Sequence, residues 1–195
     1  EDSLVQRINS DLANDLGNLF SRIVSMVHKY FEGAVPEIEP SVEAECELGL
    51  KANAQIALAD YEGFMETFQF HNALQAVWKF ISQMNKYVDV TAPWELAKRK
   101  SSRKSLAVVI YNLLEGLRII SGLIYPVMPE TAAKMQKHLG LDPKKPFYLF
   151  EQLKNWKSIK PGTRLPKSIV LFPRVESTEK AADPLVKSPE AVNRP

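Results

Sequence analysis

The segment 104–124 constrains the fold more than any other part of the chain, because its helical pattern places apolar residues on nearly every side. A surface helix keeps a polar stripe toward water, whereas a helix that is hydrophobic all round has to be covered by neighbours. The segment therefore predicts a central helix. It favours an all-α fold, a bundle of about five main helices with short loops and a short irregular C-terminal extension.

Four more helices are predicted from apolar residues that recur at every third or fourth position. Their ranges are 3–31, 42–66, 72–88 and 129–139, and a short additional helix is predicted at 95–99. The residues that the first helix is expected to bury share one face and are Leu12, Leu16, Leu19, Ile23, Val27 and Tyr30. Those that the third is expected to turn inward are Leu74, Val77, Trp78, Ile81, Met84 and Val88.

The sequence divides into three parts by its periodicity. Residues 1–140 are predicted to form the helical bundle. Residues 141–176 hold at most one short helix and the β-like run SIVLFPRVE, and we expect this extension to pack back on the bundle. Residues 177–195 are polar and carry prolines, which predicts a flexible tail because such a segment buries too little apolar surface to fold.

Several classes of site lack the residues that would build them. Cys46 is the only cysteine and the three histidines are scattered, so neither a disulfide nor a metal centre is predicted. The chain carries no Gly-rich phosphate loop, no GxSxG and no HExxH motif, so we expect no catalytic residue and no cofactor in it. No run of 18 apolar residues occurs, and we expect no membrane span and no membrane partner.

The start of the chain and its cysteine content bear on its origin. The first residue is Glu1 rather than Met, and no signal peptide precedes the first helix. A single cysteine fits a reducing compartment. We interpret the chain as a cytoplasmic piece cut from a longer polypeptide.

The polar face of the first helix is one candidate binding surface. Its residues recur at threes and fours and are Asp11, Asn14, Asn18, Arg22, Ser25 and Lys29. Asn18 and Arg22 lie one turn apart, and an amide beside a planar guanidinium suits the edge of a nucleic-acid base. A solvated helix face is the alternative. Gly17, in mid-helix, predicts a close neighbour, which we expect to be another helix.

The stretch VDVTAPWELAKRK is a second candidate, because Pro93 breaks the helical pattern and Trp94 follows at once. An indole held on a turn can stack on an unpaired RNA base, which contributes about 1–3 kcal/mol. Lys98, Arg99 and Lys100 come next and predict phosphate contacts, although the net charge of the chain is only +2. A hydrophobic contact that pins the turn is the alternative for the indole.

Three stretches, NDLGNLFSR, YVDVTAPWELAK and PVMPETAAKMQKHLGL, occur in this order and together resemble the anticodon-binding domain of methionyl-tRNA synthetase. LFPRVE resembles the segment that follows that domain in bacterial members, so the match covers roughly residues 2–176. The P-x-MPE-T pattern is shared by the related class I synthetases for Leu, Ile, Val and Cys. The N-L-x-S-R helix combined with D-x-x-APW is narrower and indicates the methionine enzyme.

The resemblance implies roles for individual residues. Asn18 and Arg22 fall on helix residues that contact anticodon bases in that family. Trp94 falls on the tryptophan that stacks on the first anticodon base, a cytosine, and Pro93 shapes its turn. Asp89 matches an acidic position associated with the rejection of wrong anticodons, since a carboxylate repels phosphate and pairs badly with acceptor-rich base edges.

The resemblance also implies a function. The chain is expected to recognise the CAU anticodon of tRNA(Met), so that an ATP-dependent methionine–tRNA ligase can attach methionine to it in translation. The family's catalytic half uses ATP and Mg²⁺ and carries the HIGH and KMSKS signatures and a zinc-bearing insert. None of these signatures occurs in this sequence, so the chain is expected to be inactive by itself and to have that half as a partner in the same polypeptide.

Two other functions are compatible with a helical bundle of this kind. One is the anticodon-binding domain of a sibling class I synthetase, although the APW turn is not expected in those enzymes. The other is a helical protein–protein interaction module, which would use exposed helix faces as partner grooves and would not bind RNA. If the chain is the anticodon-binding domain of the methionine enzyme or of a sibling, residues 141–176 could pack on the catalytic half instead of the bundle.

Overall fold

The structure of the chain, a computed structural model, describes residues 2–45, 49–142, 150–167 and 169–175, and these ranges contain no β-strand. The helical elements are, in chain order, α1 (Asp2–Arg7), a π-helix (Ile8–Gly17), α2 (Asn18–Phe31), α3 (Pro40–Glu45), α4 (Leu50–Glu66), α5 (Phe70–Thr91), α6 (Pro93–Leu96), a 3-10 turn (Lys100–Ser102), α7 (Arg103–Leu123), α8 (Pro129–His138) and α9 (Phe150–Leu153). The predicted all-α bundle is confirmed.

Helix α7 is the central helix that its composition predicts. Every residue from Leu106 to Leu123 is buried, and α2, α3, α4, α5, α8 and α9 all pack against it. The stretch Lys100–Leu123 is long and apolar enough to cross a membrane, but its most apolar 18 residues are completely buried inside the protein. The helix contains no unbroken run of 18 apolar residues, because Asn112, Glu115 and Arg118 interrupt it.

The first helical segment carries the predicted apolar stripe. Four of the six predicted core residues are completely buried, namely Leu16, Leu19, Ile23 and Val27. Leu12 and Tyr30, at the two ends of the stripe, are only half-buried. The predicted face is therefore the one that packs, and its two ends reach the surface.

The π-helix has no counterpart in the predicted pattern. Its turns are wider than those of an α-helix, and such segments are rare and often lie near functional sites. A Cβ at Gly17 would lie 3.1 Å from the Leu12 carbonyl oxygen and 3.4 Å from the Phe172 ring. The close neighbours of Gly17 are thus the wide turn itself and the C-terminal extension, and the expectation of another helix is wrong.

The predicted helix at 42–66 is two helices. Helix α3 begins at Pro40 and is described to Glu45, and α4 begins at Leu50 after Gly49. Gly49 has a φ of 73°, in the left-handed region where an α-helix cannot continue. Cys46 lies outside the described residues.

Helices α4 and α5 pair most extensively, and α5 is longer than the predicted 72–88. Its last turn is held by the hydroxyl of Thr91, which donates to the carbonyl of Tyr87 at 2.7 Å. Ala92 then takes a left-handed conformation and ends the helix just before Pro93. The next helix, α6, covers Pro93–Leu96 and replaces the short helix predicted at 95–99.

The C-terminal extension packs on the bundle through polar as well as apolar contacts. Glu115 and Arg118 of α7 form a buried ion pair, with 2.8 Å between Arg118 Nε and Glu115 Oε2. Glu115 also accepts a hydrogen bond from the Ile159 N–H at 2.6 Å, and Arg118 donates to the Asn155 carbonyl at 2.6 Å. A buried charged pair is tolerated where further hydrogen bonds satisfy both partners, and here the extension supplies them.

Within the described part of the run SIVLFPRVE, residues 169–175, the β-like segment that the pattern suggests is not formed. These residues pair with no neighbouring strand, and Pro173 cannot donate to a ladder. The extension forms one isolated β-bridge among the described residues, between Ala34 and Arg164. The predicted tail at 177–195 lies outside the residues that the structure describes.

Candidate functional site

Trp94 lies on the turn between α5 and α6, and the backbone of the turn explains its position. Ala92 has a φ of 41° and ends α5, and Pro93 opens α6 at a position that needs no N–H. Pro93 is buried, whereas the neighbouring Trp94 keeps 40% of its surface exposed. The turn therefore holds a large indole at the surface rather than in the core.

A shallow groove of about 320 Å³ separates Trp94 from one face of α2. The α2 residues that line it are Ser21, Arg22, Ser25, Met26, Lys29 and Tyr30. They provide hydroxyls, a guanidinium and an ammonium opposite a flat aromatic ring. The groove is therefore suited to a planar ligand that also carries polar edges or negative charge.

Arg22 and Asp89 connect the two elements of the site. The distance from Arg22 Nη2 to Asp89 Oδ1 is 3.5 Å, and the two side chains are 43% and 67% exposed. Exposed ion pairs contribute about 0–1 kcal/mol, because water competes for both partners. The guanidinium can therefore exchange this carboxylate for a ligand at a small cost in free energy.

Asn18 begins α2 and lies one turn before Arg22. Its side chain is exposed, and the side-chain amide makes no hydrogen bond within the described ranges. It does not line the groove beside Trp94 but lies next to it on the same helix face. The amide is thus accessible to a ligand that extends beyond the groove.

The basic residues after Trp94 lie outside the groove. Lys98, Arg99 and Lys100 are all exposed. Lys98 Nζ pairs with the Glu95 carboxylate at 2.7 Å, which offsets its charge. Arg99 and Lys100 are therefore better placed than Lys98 to hold phosphates.

Acids lie at the opposite end of the polar face, in the π-helix. Burial raises the pKa of the Asp15 carboxyl, and the negative charge of Asp11 raises it further. Asp11 forms an exposed ion pair with Arg7, at 3.4 Å. The cations Arg22 and Lys29 lie toward the other end, so the face is acidic before Asn18 and basic after it.

The groove contains residues that the sequence patterns did not select. Met26 and Tyr30 follow Arg22 at intervals of four residues, which places all three on one side of α2. Tyr30 was expected in the core and is half-buried, so its ring borders both the core and the groove. The place of Tyr30 at the end of the apolar stripe indicates that its ring reaches the surface, but not which groove the ring borders.

Trp78 differs from Trp94 in its surroundings. It is half-buried against the core, and its indole N–H donates to the Asp11 carbonyl at 3.2 Å. The expectation that it turns inward from α5 agrees with this position. Among the described residues no group of His, Cys, Asp and Glu could hold a metal ion.

Comparison with known proteins gives one consistent result. A family profile described as the anticodon binding domain of methionyl tRNA ligase matches residues 35–183. The chain is 45% identical over 186 residues to the methionine–tRNA ligase of Caldanaerobacter subterraneus subsp. tengcongensis, a match that covers 93% of the chain and 28% of that protein. It is 40% identical over 186 residues to the enzyme of Bacillus subtilis, covering 93% of the chain and 27% of that protein.

Solved structures agree with this match. The apo methionyl-tRNA synthetase of Mycobacterium tuberculosis superposes with a TM-score of 0.80 at 35% identity, over 91% of this chain and 35% of that one. The chain thus spans about a quarter to a third of the length of the relatives that it matches. It belongs to the family of anticodon-binding domains of methionyl-tRNA ligase.

Proposed function

We propose that the groove between Trp94 and α2 binds the CAU anticodon of tRNA(Met). The observation that carries this proposal is an exposed indole that faces Arg22 across one groove. An unpaired base that stacks on the indole presents its edge to a planar guanidinium with several donors. Membership in the anticodon-binding family supports the same class of partner.

Each residue of the site has a distinct role in this proposal. Trp94 stacks on the first base, and Pro93 fixes the backbone that carries the ring. Arg22 and Asn18 donate to base edges from successive turns of α2. Asp89 holds Arg22 in the free protein and disfavours bases that would place an acceptor against its carboxylate.

The proposal extends to the polypeptide from which the chain derives. We infer a cytoplasmic methionine–tRNA ligase whose catalytic half binds ATP and Mg²⁺, and zinc in its insert, and acts on the tRNA that this domain selects. Within the chain we assign residues 1–140 to the bundle, 141–176 to an extension that packs back on the bundle or on the catalytic half, and 177–195 to a flexible tail. The relatives named above, all methionine enzymes, support this over a sibling synthetase.

Replacement of Trp94 by alanine tests the proposal. Trp94→Ala should weaken binding of an RNA hairpin with a CAU loop by about 1–3 kcal/mol, the contribution of one stacked base. Trp94→Phe should recover part of the loss, since a smaller ring still stacks. Thermal unfolding should change less than on loss of a fully buried indole, because Trp94 keeps 40% of its surface exposed.

Trp78→Ala is the matched control. This indole is half-buried and hydrogen-bonded, so its loss should lower the free energy of unfolding by an amount that approaches the roughly 3–5 kcal/mol of an emptied aromatic site. The preference for the CAU loop should stay intact. If Trp94→Ala binds the CAU loop and the scrambled loop with the same affinities as the parent, the anticodon assignment is refuted. Absence of RNA binding in the parent would favour a protein–protein module.

A further inference from the structure

A second groove lies beside the Trp94 groove on the surface of α2. Ser25 and Lys29 line both, and the second groove, of about 460 Å³, adds His28 and, from the C-terminal extension, Lys167. The α2 residues that line the two grooves run from Ser21 to Tyr30, about two and a half turns or roughly 14 Å at about 1.5 Å per residue. Because they share Ser25 and Lys29, the two grooves form one trough on the surface of α2, with Trp94 on one side and Lys167 on the other.

The side of the trough away from Trp94 is positively charged. Lys29 and Lys167 are exposed, and none of the described residues that line the two grooves is a carboxylate. In the part of the chain that the structure describes, neither ammonium forms an ion pair, and Lys29 Nζ lies 5.4 Å from the ring centroid of Tyr30. Ammonium groups bind phosphate oxygens as point charges, and the Ser25 hydroxyl can add a hydrogen bond.

Lys167 follows a backbone that is fixed against α2. His28 Nε2 lies 3.0 Å from the Pro166 carbonyl oxygen, and the Leu165 N–H donates to the Gly33 carbonyl at 2.8 Å. Gly33 has a φ of 78°, and a Cβ there would lie 2.8 Å from the His28 ring, so only glycine lets the histidine reach the extension. Fixing the backbone in advance lowers the entropy cost of binding at this position.

We propose that this trough holds the phosphodiester backbone of the RNA strand that continues from the base on Trp94, with Lys29 and Lys167 as its phosphate contacts. The proposal rests on the function proposed above and adds a site that responds to charge rather than to sequence.

Charge-neutral variants of the whole chain test the trough. Lys29→Gln and Lys167→Gln, singly and together, are compared with the parent for hairpins that share one stem and carry either a CAU or a scrambled loop. Each substitution should lower the slope of log affinity against log salt by roughly 0.7–0.9, the value for one lost phosphate contact, and weaken binding about five-fold at 0.15 M salt. Both hairpins should lose affinity equally.

Lys51→Gln supplies the matched control, because Lys51 is exposed on α4 and lines neither groove. Its salt slope should stay at the parent value. Unchanged slopes in the Lys29 and Lys167 variants would overturn the trough, and so would a loss confined to the CAU hairpin. Polyglutamate that competes with the same lysine dependence would identify a site for acidic ligands instead of RNA.

Failure of the trough is distinguishable from failure of the anticodon assignment. If the trough is wrong, the parent still prefers CAU and loses that preference in Trp94→Ala, while the lysine variants bind normally. If the anticodon assignment is wrong, the parent shows no preference for CAU. Reduced salt slopes in the lysine variants would then still support the phosphate contacts.

Discussion

Among the described residues, Arg22 is held by one exposed ion pair, so its removal should affect recognition more than folding. In the full-length enzyme, Arg22→Gln and Asn18→Ala should each lower kcat/KM for tRNA charging. The loss should correspond to roughly 1–3 kcal/mol of binding free energy, the discrimination that one good base contact provides. Methionine-dependent pyrophosphate exchange, which reports adenylate formation without tRNA, should stay near the parent rate. An equal loss in both assays would indicate misfolding rather than lost contacts.

Asp15 makes a residue-scale prediction about pH. Burial and the charge of Asp11 raise its pKa above the usual 3.8. A carboxyl with a raised pKa in the folded state favours folding when protonated, and this contribution is lost as the pH rises through the folded-state pKa. Asp15→Asn should therefore raise the melting temperature at pH 7, and the gain should shrink as the pH falls through the raised folded-state pKa and vanish below the ordinary value of 3.8.

Asp11 provides the control for that prediction. Asp11→Asn removes the second of the two causes, so an NMR titration should show the Asp15 pKa lowered but still above its usual value, because burial persists. A melting-temperature gain for Asp15→Asn that is the same at pH 3 and pH 7 would contradict the proposed cause.

At the scale of elements, two helical glycines should respond oppositely to the same substitution. No atom lies within 4 Å of a Cβ at Gly63 in α4, so Gly63→Ala should stabilise the protein by about 0.5–1 kcal/mol. At Gly122 in α7 a Cβ would overlap the Leu153 side chain of α9. Gly122→Ala should destabilise by about 1–3 kcal/mol through overpacking, less the helix-propensity gain.

Urea unfolding of the two variants measures the difference directly. Each glycine is in a helix, so the intrinsic gain from alanine is shared and the sign of the result reports the neighbours alone. Equal stabilisation by both substitutions would show that α9 does not press on α7 as described.

Helices were predictable where apolar periodicity was long, and their interruptions were not. Patterns alone located α5, α7 and α8, because burial on one face or on all faces leaves a mark at every third or fourth residue. The break at Gly49 was missed because a single left-handed residue hardly changes that periodicity. The π-helix was missed because it depends on hydrogen bonding that side-chain spacing does not record.

The residues of the candidate site were likewise predictable only in part. Exposure of Trp94 agrees with the turn that Pro93 predicts, and the resemblance to a known family selected Arg22 and Asp89, which the structure places 3.5 Å apart. The contribution of Tyr30 and Lys167 could not be predicted from local pattern. It depends on how α2, α6 and the extension come together, and each residue lies far from Trp94 in the sequence.

At the scale of the whole molecule, the chain should bind RNA without performing chemistry. It spans about a quarter to a third of its relatives, and its described residues form one helical bundle with no nucleotide-binding sheet. The isolated chain should therefore show no methionine-dependent pyrophosphate exchange, whereas the same chain retains affinity for the CAU hairpin. If the purified chain exchanged pyrophosphate faster than a mock preparation, the claim that it binds RNA without catalysis would be wrong.

The buried pair of Glu115 and Arg118 makes the extension part of the cooperative unit despite its loop-like path. If the segment around Ile159 opened locally, Glu115 and Arg118 would lose the hydrogen bonds that the extension supplies, and the buried Ile159 side chain would be exposed with them. Such an opening costs far more than the fraying of an ordinary surface loop. Slow amide exchange should therefore extend from α7 into the backbone around Ile159, and the extension should come away only when the bundle itself unfolds.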